Sequence, residues 1–222
     1  MPQQNEFGAH RVGIAILAKA PIPGLTKTRL IPRLGAEGAA RLQRWLLQRT
    51  LSTALDAGTG PLSLWCTPDQ RHPDFAAWRA DGLVELKTQP EGDLGERMLT
   101  ALQTGTTPLG TLVIGTDCAV LTPAMLRQAA HSLTTHDAVV IPAEDGGYVL
   151  IGMRKPDAGI FANVSWSTAT VMAETRERFA ALAWSVDELP ALWDVDLDAD
   201  FDRLCAFCPA AADYVLNSEV QA

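Results

Sequence analysis

Short apolar runs alternate with amphipathic stretches along almost the whole of this 222-residue chain, and that alternation limits the folds open to it more than any other feature. "VGIAILA" (Val12 to Ala18) reads as a buried strand, after which Leu42, Trp45, Leu46, Leu51 and Leu55 recur at helical spacing beyond a glycine-rich start near Gly35. "PLSLWC" ends a second strand, and a short helix through Phe75 and Trp78 leads to a third, "LVELKTQ". A helix over "LGERMLTALQTG" stops at Gly105, before "TLVIGTD", the most apolar short strand of the middle region. Pro123 opens a helix that runs to about Leu133. "DAVVIPA" and "GGYVLIGM" are two further strands joined by Asp145, Gly146 and Gly147. "WSTATVMAETRERFAAL" reads as a helix, and the chain closes with "WDVDLDADFDRLCAF". Strands and helices in this order predict right-handed crossovers and a three-layer α/β/α fold, its mostly parallel, mixed sheet covered on both faces.

There is no internal repeat, low-complexity tract or long linker, so residues 1–222 read as one domain with a core over about 12–207. A formal charge of −8 argues against nonspecific binding to nucleic acid or to an anionic membrane, since both would be repelled at long range. No stretch approaches the roughly 20 apolar residues of a spanning helix, and "MPQQNEFGAHR" lacks the apolar core of a signal peptide; a cytoplasmic protein is the expectation. Cys66, Cys118, Cys205 and Cys208 are too scattered for a disulfide framework, and "CAFC" reads as ordinary buried thiols on a terminal helix.

In a sheet of this kind ligands bind beyond the carboxyl ends of the strands, so the loops that follow strands carry the chemistry. The first is "LAKAPIPGLTKTRL". No acid occurs between Glu6 and Glu37, yet that interval holds Arg11, Lys19, Lys27, Arg29 and Arg33. Prolines stiffen the loop and Gly24 lets it turn, so Lys19, Lys27 and Arg29 are aimed at low ordering cost, as a phosphate pocket requires. It is neither a Walker loop nor a dinucleotide fingerprint. The second loop, "VIGTDCAVL", puts Asp117 just past a buried strand, where a carboxylate suits a magnesium or manganese ion held against a diphosphate, or caps the helix entered at Thr122.

The third, "PAEDGGYVLIG", offers Asp145 as either a catalytic carboxylate or a turn former, with Gly146, Gly147 and Tyr148 open to close approach by a substrate. "WDVDLDAD" places Asp194, Asp196, Asp198 and Asp200 at alternate positions. At least two of these serve the last helix and its solvated face, and Asp196 is the candidate to complete a metal pair with Asp117.

At "AKAPIPGLTKTRLIPRLG", "GDLGERM", "IGTDCAVL", "PAEDGGYVLIG", "FANVSWST" and "DVDLDADF" the chain resembles a bacterial family of GT-A-like transferases, known as arsenosugar-biosynthesis glycosyltransferases or radical-SAM/selenodomain-associated transferases. The resemblance runs from about Val12 to Leu204 and implies a nucleotide-diphospho-sugar transferase fold. Its distant relatives are the molybdenum-cofactor and 2-phospho-lactate guanylyltransferases. By position it implies that Lys27 and Arg29 are phosphate ligands, with Ala18 and Lys19 beside them, and that Asp117 and Asp196 hold the metal. It further implies that Gly92, Asp93, Gly95 and Arg97 belong to the nucleotide pocket. Relatives read G-S-D-x-P where this chain has Gly115, Thr116, Asp117, Cys118 and Ala119.

The expected activity is Mg²⁺- or Mn²⁺-dependent transfer of a sugar from a nucleotide-diphospho-sugar to a small-molecule acceptor. Lys27 and Asp145 are the catalytic candidates, Asp145 as general base, and Trp166 either lines the acceptor pocket or packs in the core. Two alternatives stay open: a nucleotidyltransferase that releases pyrophosphate, and a noncatalytic nucleotide-binding protein.

Overall fold

The computed structural model describes residues 11–79, 82–105 and 107–217; the first ten residues, on which the signal-peptide expectation rests, lie outside them. Seven strands form one sheet in the order β3-β2-β1-β4-β6-β5-β7. They are β1 (Gly13–Lys19), β2 (Leu62–Thr67), β3 (Val84–Thr88), β4 (Thr111–Ile114), β5 (Ala138–Pro142), β6 (Tyr148–Met153) and β7 (Val186–Glu188). All neighbours run parallel except at β6, which is antiparallel to both β4 and β5. The tight connection after Pro142 explains this, because a short turn can only return the chain antiparallel.

Alternation along the strands sorts their side chains onto the two faces. Ile14, Ile16, Leu64, Leu112 and Ile114 share one core with α1 (Ile31–Ala57), α2 (Pro73–Ala76) and α4 (Pro123–Ser132). Ala15, Trp65, Val113, Ile151 and Met153 share the other with α3 (Leu94–Thr104) and α5 (Val171–Ala181). The three-layer arrangement expected from the sequence is therefore present. A third cluster lies outside the sheet, where Leu42 and Leu46 of α1 meet Phe201 and Leu204 of α6 (Asp198–Phe207) and Ala211 and Val215 of α7 (Pro209–Leu216). Among the described residues no helix is long and apolar enough to cross a membrane.

Five features differ from the sequence-based expectation. Helix α1 begins at Ile31, with Pro32 in its first turn, and is interrupted at Gly35 (φ 69°) instead of starting there. Helix α5 begins at Val171, not near Trp166, because the hydroxyls that precede it serve turns. Thr168 Oγ1 donates to the Ser165 carbonyl at 2.6 Å, and Glu174 accepts from Ser165 N and Thr170 Oγ1. Strand β7 has three residues, too few to show a period, and α7 follows α6 with no sequence pause beyond Pro209. Cys205, on α6, and Cys208, between α6 and α7, are half-buried at the edge of the third cluster, not fully buried.

Candidate functional site

A cavity of about 500 Å³ opens at the carboxyl ends of β1 and β4. Strands β2 and β3 extend from one side of β1 and β4 from the other, so the crevice lies where the chain changes direction across the sheet. Its walls include Ala18, Lys19, Lys27, Arg29, Arg97, Asp117, Tyr148, Asp194 and Asp196, which the sequence singles out. They also include Thr26, Gln43, Thr67, Gln89 and Leu94, which it does not.

Lys27 is the centre of this arrangement. Its Nζ lies 2.6 Å from Asp117 Oδ1 and 3.1 Å from Asp196 Oδ1, and it donates to the Val195 carbonyl at 2.6 Å. The side chain is 5% exposed, against 43% for Asp117 and 39% for Asp196. Burial opposes the charge on this ammonium, but the two carboxylates outweigh burial and raise its pKa above the ordinary lysine value. The backbone at Lys27 is left-handed (φ 45°, ψ 44°), a conformation a non-glycine residue keeps only where its surroundings hold it. The three hydrogens of the ammonium thus face oxygens of the protein, where the resemblance implies a phosphate ligand. Lys19 and Arg29 are exposed at the cavity, Arg29 reaching within 3.8 Å of Asp196 Oδ2.

The acidic segment that ends in Asp196 is fixed from two sides. Val195 N donates to the Asp117 carbonyl at 3.0 Å, tying the segment to the loop after β4. Asp200 accepts from the amides of Asp196 and Leu197 at 3.1 and 2.7 Å, so it caps α6 as the sequence suggests. Asp194 is half-buried, and burial together with the carboxylates of Asp145, Asp196 and Asp117 pushes its pKa up to about 6.

Two glutamines build the floor. Gln43, buried in α1, donates to the Lys19 carbonyl at 3.2 Å and to Thr116 Oγ1 at 3.1 Å, joining the ends of β1 and β4 through a helix. Gln89 donates to the Ala18 and Trp65 carbonyls at 3.2 and 2.8 Å, locking the ends of β1 and β2 together. Each reads in the sequence as one polar residue among many; the signal for Gln43 is its place on the apolar stripe of α1.

Other sequence-predicted residues support the walls without lining the cavity. Asp93 caps α3: its Oδ1 accepts from Glu96 N, and Glu96 Oε2 accepts from Asp93 N, both at 2.9 Å, with Gly92 turning the chain at φ 113°. At Gly95 a Cβ would stand 2.6 Å from Trp166 Cζ2 and 3.0 Å from Phe161 Cβ. Trp166 stacks on Phe161 at 6.4 Å between ring centroids, with a buried Nε1 that has no partner. The structure therefore places Trp166 in packing against α3, not on the cavity wall. Arg97 does line the cavity, and its buried Nε has no hydrogen-bond partner.

Asp145 Oδ1 accepts from Gly147 N at 2.9 Å, the geometry of a turn former, and its exposed carboxylate is not among the cavity-lining groups. Gly146 (φ 94°) lies so close to the Ala169 carbonyl that a Cβ would collide with it. Gly146→Ala is therefore expected to lower the unfolding free energy by about 1–3 kcal/mol, read as a fall in the urea midpoint. An unchanged midpoint would show that the hairpin can yield.

The donor chemistry suits a hard divalent ion. Asp117, Asp194 and Asp196 bring three carboxylates to a cavity whose buried Lys27 ammonium is already shared by two of them. Among the described residues no three carboxylate, imidazole or thiolate groups converge as a ready-made cage. A pair of carboxylates completed by substrate oxygens is how magnesium is usually held.

A family model described as "Uncharacterized protein conserved in bacteria (DUF2064)" matches residues 50–168, just over half of the chain. The chain belongs to the DUF2064 family. No curated protein matches it. This DUF2064 chain is similar in structure to a protein from Desulfovibrio desulfuricans G20 provisionally named a nucleotide-diphospho-sugar transferase. Identity is 28% and the TM-score 0.81, with 95% of this chain and 99% of the other covered. It is also similar to 4-diphosphocytidyl-2C-methyl-D-erythritol synthase from Anaerococcus prevotii DSM 20548, at 12% identity and a TM-score of 0.61, covering 93% and 100% of the two chains. A third similarity is to Rv0371c from Mycobacterium tuberculosis H37Rv in complex with manganese, at 18% identity and a TM-score of 0.54, covering 87% and 97%. The last two bear on the fold alone. The DUF2064 chain has the nucleotide-diphospho-sugar transferase fold.

Proposed function

We propose that the protein is a divalent-metal-dependent transferase that binds a nucleotide diphosphate group in the cavity and moves a sugar from a nucleotide-diphospho-sugar to a small-molecule acceptor. The observation that carries this reading is the meeting of Lys27 from the first loop with Asp117 and Asp196 from two distant segments at the strand ends. The similarity to the Desulfovibrio protein supports it.

In this reading the exposed Lys19 and Arg29 draw the diphosphate to the crevice, Arg29 with its planar fork and Lys19 as a point charge. The unpartnered Nε of Arg97 leaves a buried donor on the same wall, which an acceptor oxygen of the bound nucleotide would satisfy. Asp117 and Asp196 are the residues that would hold a magnesium or manganese ion, whose charge offsets that building on a departing diphosphate. Asp145 is the proposed general base, with Tyr148 on the cavity wall at the acceptor side; Gly146 packs on the Ala169 carbonyl instead, and neither it nor Gly147 lines the cavity. A narrower assignment to arsenosugar synthesis would be a matter of which acceptor is used.

One observation favours a second reading. Asp145 is engaged in its own turn and stands outside the cavity wall, while nucleotidyl transfer to an ionised phosphate needs no strong base. The Anaerococcus synthase shares that fold. Product analysis separates the two: with Mn²⁺, release of a nucleoside diphosphate from a sugar nucleotide is expected. Pyrophosphate release from GTP or CTP with a phosphorylated acceptor would replace that conclusion with nucleotidyl transfer. Binding without either product over a broad panel would leave a noncatalytic nucleotide-binding protein.

A further inference from the structure

We infer that Lys27 is the resident counter-ion of the Asp117–Asp196 pair, holding the two Oδ1 atoms that a divalent ion shared by the pair would use, so that ion and ammonium compete until a diphosphate takes over the lysine. This rests on the reading above that the pair is the metal site.

An ammonium has three hydrogens to donate, and here three oxygens receive them: Asp117 Oδ1, Asp196 Oδ1 and the Val195 carbonyl, at 2.6, 3.1 and 2.6 Å. These oxygens come from two segments that are themselves joined through Val195 N and the Asp117 carbonyl. The lysine is almost fully enclosed and its backbone is held left-handed to deliver it. The result is an oxygen cage around a monovalent cation supplied by the chain. Magnesium binds its oxygens at about 2.0–2.1 Å, so an ion bridging the same two carboxylate oxygens would need the space in which Nζ now sits. Two cations pressed onto one oxygen pair would also repel strongly in so enclosed a position.

A diphosphate changes both sides of this competition. Its oxygens offer the ammonium other partners, and they complete the shell that two carboxylates alone leave open. Ion and diphosphate therefore bind with positive linkage, and each alone binds more weakly than with the other. Lys27 is thus a positioning residue in the free protein and a phosphate partner only in the loaded one. This accounts for a lysine that the sequence marks as a phosphate ligand but whose hydrogens point at carboxylates.

The test is a calorimetric titration of the nucleotide-free protein with Mn²⁺ alone, for wild type, Lys27→Gln, Asp117→Asn and the double variant. Glutamine keeps a hydrogen-bond donor for the carboxylates and removes the charge. It is expected to tighten Mn²⁺ binding by about tenfold or more, and Asp117→Asn in the same background should abolish that gain. Equal Mn²⁺ affinity in wild type and Lys27→Gln, with loss in Asp117→Asn, would overturn the counter-ion role while leaving the metal pair standing. Mn²⁺ binding indifferent to Asp117→Asn would overturn both. Should Lys27→Gln fail to fold, the wild-type side-chain ammonium resonance of Lys27 gives the answer. It should be unmoved by Mg²⁺ alone and shift when Mg²⁺ and a nucleoside diphosphate are added together; displacement by Mg²⁺ alone would refute the inference.

Discussion

Asp117→Asn is expected to lower kcat/KM by about 10²–10³ in the transferase assay at saturating Mn²⁺, with a fall in thermal midpoint beside it, since the buried Lys27 ammonium loses one of its two carboxylates. The substitution keeps the shape of the side chain and removes its charge. Lys27 retains Asp196 and the Val195 carbonyl, and the main-chain bond from Val195 N to the carbonyl of residue 117 is untouched. The variant should therefore still fold, and the loss in rate should appear in turnover and in the metal concentration needed for half-maximal rate. A variant with unchanged kcat/KM would remove this carboxylate from the reaction and with it the proposed site.

The largest effect on stability is expected at Phe201. This residue is 1% exposed, sits in the cluster formed by α1, α6 and α7, and carries the Arg33 guanidinium 5.0 Å from its ring centre. Arg33 in turn donates to the Asp198 carbonyl at 2.8 Å. Phe201→Ala would open a cavity under the helix whose first turn orients Asp196, at a cost of about 3–5 kcal/mol in unfolding free energy. Denaturant unfolding measures that loss. Mn²⁺ affinity should fall alongside it, because Asp200 and Asp196 lose their platform; a variant as stable as wild type would mean that the third cluster can close around the gap.

These two residues also show what was legible in the sequence. Asp117 was readable because a charge at the end of an apolar strand has no packing purpose, and Lys27 because it lies in an acid-free stretch of an acidic chain. Phe201 announced a core but not which core, since α7 continues α6 across Pro209 and only the packing on α1 defines the third cluster. Strands β1 to β6 were legible from their apolar runs, and the antiparallel β6 from the turn residues before it, whereas the three residues of β7 were not. Gln43 and Gln89 were not, because their role is to bond carbonyls of other strands, and no local pattern encodes a partner so far away. For Trp166 the aromatic was visible but its neighbour was not: the fit against Gly95 exists only once α3 is docked. Asp93 was assigned to the nucleotide through resemblance, although its spacing to Glu96 also spells a helix cap.

The bond between Lys27 and Asp196 joins residues 169 positions apart. During synthesis the cationic loop and the strand that leads into it emerge well before the acidic segment. Until that segment arrives, the Lys27 ammonium lacks Asp196 and the Val195 carbonyl as partners. A chain lacking the stretch around Asp196 would carry all seven strands, which end at Glu188, yet leave Lys27 with Asp117 alone of its three oxygen partners.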